Sequence, residues 1–437
     1  MPPEFQSLAF DPADAKAALA ALPHSAAVFA LYGADTRAEP YIGRTPNLRS
    51  RLERLLQPSP KHPRRLHLAG LVRRIEWQLT GSEFESLLAQ FSLLENIYGP
   101  KSLERMHLRA PAFIRYLGGN PYPRIVVTNK PSQREADWAY GPFASRAAAE
   151  RFAEEALKLF LLRRCTEDLD PNPSHPGCVY SEMKMCLAPC YKGCTDERYA
   201  EEAAAVRDFL ATRGESKLVT LRAQREQASS NLEFESAAAL HAQVQRVEGV
   251  QALALELVQP LSKLRAVILQ ASANPDEVAV FLFENSRLRG PAAFSTLGMR
   301  IQNERSGSSS LFAQPMAIEA VPEEPEPGNK EQGSGITGDR AAGFDALPSI
   351  AVAKPARGML EARLEGVLTA LSAPTEAPSA TVRQGHLALL KRWYYRPEVR
   401  RAGEICFPDA EGHWPLKSLL RGVGRVAAKN LAPIRSE

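Results

Sequence analysis

Ala26-Ala27-Val28-Phe29-Ala30-Leu31-Tyr32, followed at Pro40 by Tyr41-Ile42-Gly43, is the stretch on which the fold turns. The first run is apolar throughout and closes on Gly33-Ala34-Asp35, which reads as a strand ended by a turn. The second reads as another short strand. Pro46-Asn47 then opens a helix with Leu48, Leu52, Leu55 and Leu56 on one face and Arg49 and Arg51 elsewhere. Ile75 to Leu79 predicts a third strand. Ser82, with Glu85 at the capping-box position, starts a helix whose apolar side is Leu87, Leu88, Phe91, Leu93 and Leu94. Strand, strand, helix, strand, helix in this order describes a compact α/β module, bounded at 20–105.

Outward from that module the pattern changes several times, as expected for 437 residues, more than one core usually fills. Residues 106–164 predict a small α/β extension, with a strand at Arg124 to Thr128 and a helix from Ser145 to Phe160 entered through Tyr140-Gly141-Pro142-Phe143. A cysteine-rich region (165–195) is followed by a helical region (196–250). Its last two helices, Glu215 to Ser230 and Phe234 to Glu248, form a hairpin around Asn231-Leu232-Glu233. Leu218 and Leu221 are expected to face Phe234, Ala237, Leu240, His241, Val244 and Val247, a stripe such a hairpin cannot bury alone. It must pack on its own domain or on a partner helix. Residues 255–302 alternate with period two and predict a small β-element. Residues 303–348, rich in Gly, Ser, Pro and Glu, predict a disordered linker. Residues 349–437 predict a basic, mostly helical segment. The fold class expected is α+β, multidomain.

Five of the six cysteines, Cys165, Cys178, Cys186, Cys190 and Cys194, fall within thirty residues. The spacing Cys165-x12-Cys178-x7-Cys186-x3-Cys190 offers four soft ligands, enough for tetrahedral zinc or an iron–sulfur cluster. Free structural thiols and disulfides are the competing readings. Disulfides need an oxidising compartment, and Met1 to Pro12 carries two acids and no basic n-region, so a cytoplasmic protein is expected. No apolar run approaches the roughly 20 residues of a membrane span, and no membrane association is expected.

The net charge of +4 decides little, but its distribution is uneven. Between Tyr41 and Ile75, Arg44, Arg49, Arg51, Arg54, Lys61, Arg64, Arg65, Arg73 and Arg74 face a single acid, Glu53. Around Lys391-Arg392-Trp393-Tyr394-Tyr395-Arg396, basic and aromatic residues interleave. Both patterns suit a nucleic-acid backbone and unstacked bases, and both also suit a solvated helix face with ordinary core aromatics.

Taken in order, four pieces resemble the bacterial UvrC excinuclease-subunit family. Ala27-Val28-Phe29 and Tyr41-Ile42-Gly43, with Asn47-Leu48-Arg49-Ser50-Arg51, resemble the paired motifs of a GIY-YIG nuclease domain. Tyr140-Gly141-Pro142-Phe143 resembles the segment following that domain, and Cys186-Leu187-Ala188-Pro189-Cys190 lies in a block similar to the family's cysteine-rich region. Lys217 to Val250 resembles the UVR hairpin. The resemblance implies nucleotide excision repair, DNA binding, for which Arg49, Arg54, Arg64 and Arg65 of the basic stretch are the candidates, and a UvrB-like helicase partner bound through Leu232, Phe234, Ala237 and Leu240. It also implies a 4Fe–4S cluster at Cys165, Cys178, Cys186 and Cys190, with zinc left open by spacing alone.

For the nuclease-type module it implies 3′ incision, using Mg²⁺ or Mn²⁺ held by one glutamate, a tyrosine base and an arginine on the scissile phosphate. Tyr41 and Arg51 match the last two, and Arg44 stands where the family usually has lysine. Two positions depart. Phe29 replaces the first-motif tyrosine and has no hydroxyl, and Gln90 falls at the metal ligand, where an amide brings no charge. The family's later asparagine falls near Ser102 or Leu103. Glu85 and Glu95 are expected on other faces of the helix. Glu83 shares a face with Gln90 but lies ~10 Å away along the axis at about 1.5 Å per residue. The chain is therefore expected to be either a GIY-YIG-type endonuclease with a degenerate site or an inactive DNA- and UvrB-binding adaptor. It is also expected to be shortened, with no room after Asn303 for the family's C-terminal RNase H-like and helix–hairpin–helix domains.

Overall fold

The computed structural model describes residues 5–35, 37–57, 68–129, 139–297, 299 and 357–431. The linker expected at 303–348 and the basic residues Lys61, Arg64 and Arg65 lie outside the described residues.

The quoted stretch forms the middle of an antiparallel sheet. Strands β1 (Gln6–Ala9), β2 (Ala27–Gly33), β3 (Tyr41–Thr45) and β4 (Val72–Leu79) lie in the order β1-β4-β2-β3. Helix α1 (Ala15–Ala20) and α2 (Leu48–Leu56) cover one face, where Phe29, Leu31, Leu48, Leu52, Ile75 and Trp77 share a core. Alternation sends Val28 and Ala30 to the other face, against Ala89 and Leu93 of α3 (Glu83–Tyr98). Asn47 caps α2 by accepting from Ser50 N, and Ser82 caps α3 by accepting from Glu85 N. A short α4 (Ser102–Arg105) ends the unit. The edge strand β1 was not legible because it is only four residues long and mostly exposed.

The second unit is built on β5 (Ala112–Tyr116), β6 (Ile125–Thr128) and β7 (Ala139–Phe143), with α5 (Arg146–Leu157) on one face. Tyr140 to Phe143 is thus a buried strand rather than an entry loop. A short α6 (Val179–Glu182) lies in the cysteine block, and α7 (Asp196–Ala211), α8 (Glu215–Ser230) and α9 (Phe234–Gln251) follow. The chain returns through β8 (Gln259–Pro260), which pairs with β7 and completes the order β6-β5-β7-β8.

The third unit joins residues 266–295 to residues 357–431. Strands β9 (Ala266–Ala271), β10 (Glu277–Glu284) and β11 (Arg287–Ser295) form a meander, with α10 (Arg357–Ser372), α11 (Ala380–Tyr394), β12 (Glu404–Cys406) and α12 (Leu416–Leu431) coming after. β12 pairs with β9 in the order β11-β10-β9-β12. Val267, Leu269, Val280, Leu364, Leu368, Leu419 and Val423 occupy one core, so the described parts of 255–302 and 349–437 fold together rather than as a β-element and a separate helical segment. Neither face of this small sheet could be buried by its own hairpins. No described helix is long and apolar enough to cross a membrane.

One cluster runs through all three units. Phe84, Leu87, Leu88, Phe91 and Leu94 of α3 pack with Phe113, Ile268, Phe281, Leu387, Leu390 and Trp393. Helix α3 is therefore apolar on both sides for a reason: the first sheet covers one side and the third unit the other. Gly385 of α11 sits so close that an added Cβ would fall 2.1 Å from Phe91 Cζ.

Candidate functional site

The paired strands explain the local chemistry of the first motif. Phe29 is opposite Gly43, and a Cβ on Gly43 would come within 2.9 Å of the Phe29 ring. Glycine at 43 is required by that ring, which is fully buried. Tyr41, two residues along the edge strand, packs near it with ring centroids 6.1 Å apart. Arg51, on the first turns of α2, donates from Nη2 to the Tyr41 hydroxyl at 3.1 Å. The structure thus brings together Tyr41, Arg51 and the Phe29 ring on the α2 side of the sheet.

Arg44 belongs to the other side. It lies 3.7 Å from Glu83, whose carboxylate is gripped by both Nη atoms of Arg396 at 2.8 Å. The Arg396 guanidinium beside Glu83, ahead of Arg44 and Arg392, holds its carboxyl below the usual carboxylate range. Glu83 is the acid nearest in register to Gln90, and it is engaged by cations from two units. Gln90 itself is half-buried on α3, next to Ala89, which faces the sheet. Glu85 is buried at 6% exposure, and its carboxyl accepts from Gly81 N at 2.8 Å. Burial pushes its pKa up to about 7.

Of the arginines expected on DNA, Arg49 is turned onto α1, donating from Nε to the Leu19 carbonyl and contacting His24. Arg54 is exposed and bonds the Ser50 carbonyl of its own helix. The second basic–aromatic stretch does not offer free ring faces. Trp393 and Tyr394 are 3% and 8% exposed, Tyr395 donates to the Pro142 carbonyl, and Arg401 lies over both Trp393 and Tyr394. Those aromatics hold the third unit to the other two and are not available to stack on bases.

In the cysteine block the backbone folds back on itself. Asn172 N donates to the Cys190 carbonyl, Leu187 N to the Leu161 carbonyl and Gly193 N to the Ala188 carbonyl. Ala188 and Lys192 both adopt left-handed backbone, with φ of 55° and 60°. Burial raises the Cys186 thiol, and the neighbouring Cys178, Cys190 and Cys165 raise it further, while the Ala188 amide bonds its sulfur. Burial likewise raises Cys190, which feels Cys178 and Cys165. Cys186 and Cys190 therefore each lie in the field of Cys165 and Cys178. Cys194 does not join them: apart from burial, it feels Asp196 and Arg198. Soft sulfur donors with backbone amides directed at two of them suit a thiolate-bound metal. Among the described residues no three potential ligands are already gathered closely enough to hold a metal ion.

The hairpin is anchored at its open end and bare at its tip. Leu218, Leu221, Val244, Val247 and Val250 pack into the second unit's core with Phe152, Phe209 and Val258, and Leu240 is half-buried beside them. Leu232 and Phe234 are 71% and 69% exposed, and Leu232 has φ of 63° in the turn. Phe234 does not face Leu218 and Leu221 as the stripe suggested. In an antiparallel hairpin those early α8 residues meet the end of α9, which leaves Phe234 and Ala237 near the free tip.

Comparison with known proteins agrees with the second unit and the hairpin. Residues 113–209 match the family model described as UvrC/Cho excinuclease, middle domain, and residues 215–250 match the UvrB/uvrC motif. The UvrABC system protein C of Alcanivorax borkumensis is 29% identical over 211 residues, covering 48% of this chain and 34% of that protein. Those of Pseudomonas protegens and Klebsiella pneumoniae are each 29% identical, over 241 and 239 residues, covering 39% and 38% of those proteins. No solved structure matches the chain. The chain is UvrC-like, and it spans between a third and two-fifths of the length of the curated relatives it matches.

Proposed function

We propose that this chain works in nucleotide excision repair as a DNA- and UvrB-binding adaptor whose nuclease-type module serves as a docking platform. The observation that carries this reading is the hairpin tip, where Leu232 and Phe234 present apolar surface with no partner within the described chain. Exposed large apolar groups at the end of a rigid helical pair mark a protein-binding surface. On the catalytic side, the residue at the metal position is an amide, the first-motif residue is a buried phenyl ring, and Glu83 is tied to Arg396. A hard cation held through so few protein ligands depends on a carboxylate. The four thiols Cys165, Cys178, Cys186 and Cys190 would hold zinc or an iron–sulfur cluster, which when bound supplies a covalent tie across the loop.

The second reading, a weak endonuclease of the 3′-incision type, is favoured by the Arg51–Tyr41 hydrogen bond. It has Tyr41 relaying a proton from water and Arg51 on the phosphate, with Gln90 the residue that would hold Mg²⁺ or Mn²⁺; Arg44, on the other side of the sheet beside Glu83, takes no part in it. A nicking assay on lesion-bearing DNA with either metal, wild type beside Gln90→Glu, separates the two. The adaptor reading expects no product from wild type. Robust incision by wild type, abolished by Tyr41→Phe, would overturn it.

A further inference from the structure

Arg163 is among the most deeply buried large side chains of the molecule, at 1% exposure. Its Nε donates to the Tyr122 carbonyl at 2.9 Å, and its Nη1 donates to the Glu167 carbonyl at 2.7 Å and to Cys165 Sγ at 3.5 Å. Its Nη2 is buried with no hydrogen-bond partner among the described residues. The partners that Arg163 does have are backbone carbonyls and one sulfur, and none is a carboxylate. A buried guanidinium is always charged, and such a charge is costly unless an opposite charge lies beside it. The group beside it is the Cys165 sulfur, one of the clustered cysteines of the sequence. The wall of that pocket is Tyr199 of α7, whose hydroxyl accepts from Arg163 N and donates to the Pro123 carbonyl, and which lies in the field of both Arg163 and Cys165.

We infer that Arg163 is the buried counter-ion of an anionic, thiolate-ligated metal centre formed by Cys165, Cys178, Cys186 and Cys190, holding Cys165 in place as a ligand. The inference rests on the metal-site reading above. Four thiolates carry more negative charge than a divalent zinc ion removes, and a thiolate-bound iron–sulfur cluster is likewise anionic, so either centre completes the pairing that the protein alone leaves open. Arginine suits this position better than lysine, because its planar fork reaches a sulfur and a carbonyl at once. Arg163 is thus a positioning residue. Its sequence signal was slight, a single basic pair immediately before Cys165.

The test uses the full chain, stripped and then loaded with zinc, or reconstituted anaerobically with iron and sulfide. Arg163→Met is expected to leave the stripped protein as stable as wild type or more so, because it removes an unpaired buried charge. In the loaded protein it is expected to speed chelator-driven loss of metal at least tenfold. Arg163→Lys should fall between. In a Cys165→Ser background Arg163→Met should have no further effect on retention. If iron–sulfur is the form that loads, the reduction potential should move to more negative values, a change that a strut-like role would not produce. Equal destabilisation of stripped and loaded protein, with unchanged retention and potential, would overturn the inference while leaving the metal site standing. Wild type that retains neither zinc nor cluster would remove the metal site and the inference with it. Should Arg163→Met fail to fold, the comparison of Arg163→Lys with wild type gives the same two outcomes.

Discussion

Helix α3 and the α8–α9 hairpin are both helices with more apolar surface than one face can hide, and they dispose of it differently. α3 is covered twice, by Val28 and Ala30 of the first sheet and by Phe281, Leu387 and Trp393 of the third unit. The hairpin is covered only at its open end and carries Leu232 and Phe234 bare at its tip. A helix buried all round is committed to the interior, whereas a helix pair with an uncovered apolar end is committed to something outside the chain. The contrast bears on function, since the helix expected to carry a metal ligand has become a structural axis and the hairpin remains free to bind.

Removing the cover from α3 should have the largest effect. Phe91→Ala, at the point where Gly385 presses on the ring, is expected to cost about 3–5 kcal/mol in denaturant unfolding. An unchanged midpoint would break the claim that α3 joins the units. Next comes Glu85, whose carboxyl is raised by burial. A raised folded pKa means stability is full below the unfolded value and is lost as pH rises toward about 7. Glu85→Gln should remove that decline and stabilise the protein at pH 8 by on the order of 2 kcal/mol. A pH–stability curve identical to wild type would reject it.

Smaller still is the Arg396–Glu83 pair, which is part-exposed and worth about 0.2–1 kcal/mol. Glu83 is depressed, so its contribution is present above the ordinary carboxylate pKa and is lost as pH falls through its lowered value. Arg396→Met should therefore destabilise at pH 7 and not at pH 2–3. The smallest effect on folding is expected at the tip. Phe234→Glu should change stability by less than about 0.5 kcal/mol, yet weaken association with a UvrB-like partner at least tenfold in a pull-down titration. A large loss of stability there would show that the tip belongs to the fold after all.

Much of this was legible in the chain. Ser82, Asn47 and Ser145 each cap a helix where a cap was expected, because capping is a local hydrogen bond between residues three apart. The hairpin and its turn were legible for the same reason. Cys186 and Cys190 each feel Cys165 and Cys178, whereas Cys194 feels Asp196 and Arg198. Less legible was the fate of Trp393-Tyr394-Tyr395, read equally well as a binding surface or as core.

By itself, then, the sequence determined the helices, their caps and the paired strands of the first module, all of which follow from short-range periodicity and spacing. Only the tertiary structure decided that Arg396 grips Glu83 across 313 residues, that β12 returns to β9 beyond the linker, and that Arg163 is sealed beside Cys165 without a carboxylate. Those outcomes depend on which apolar faces find each other, and a buried charge or ring shows its meaning only once its surroundings are in place.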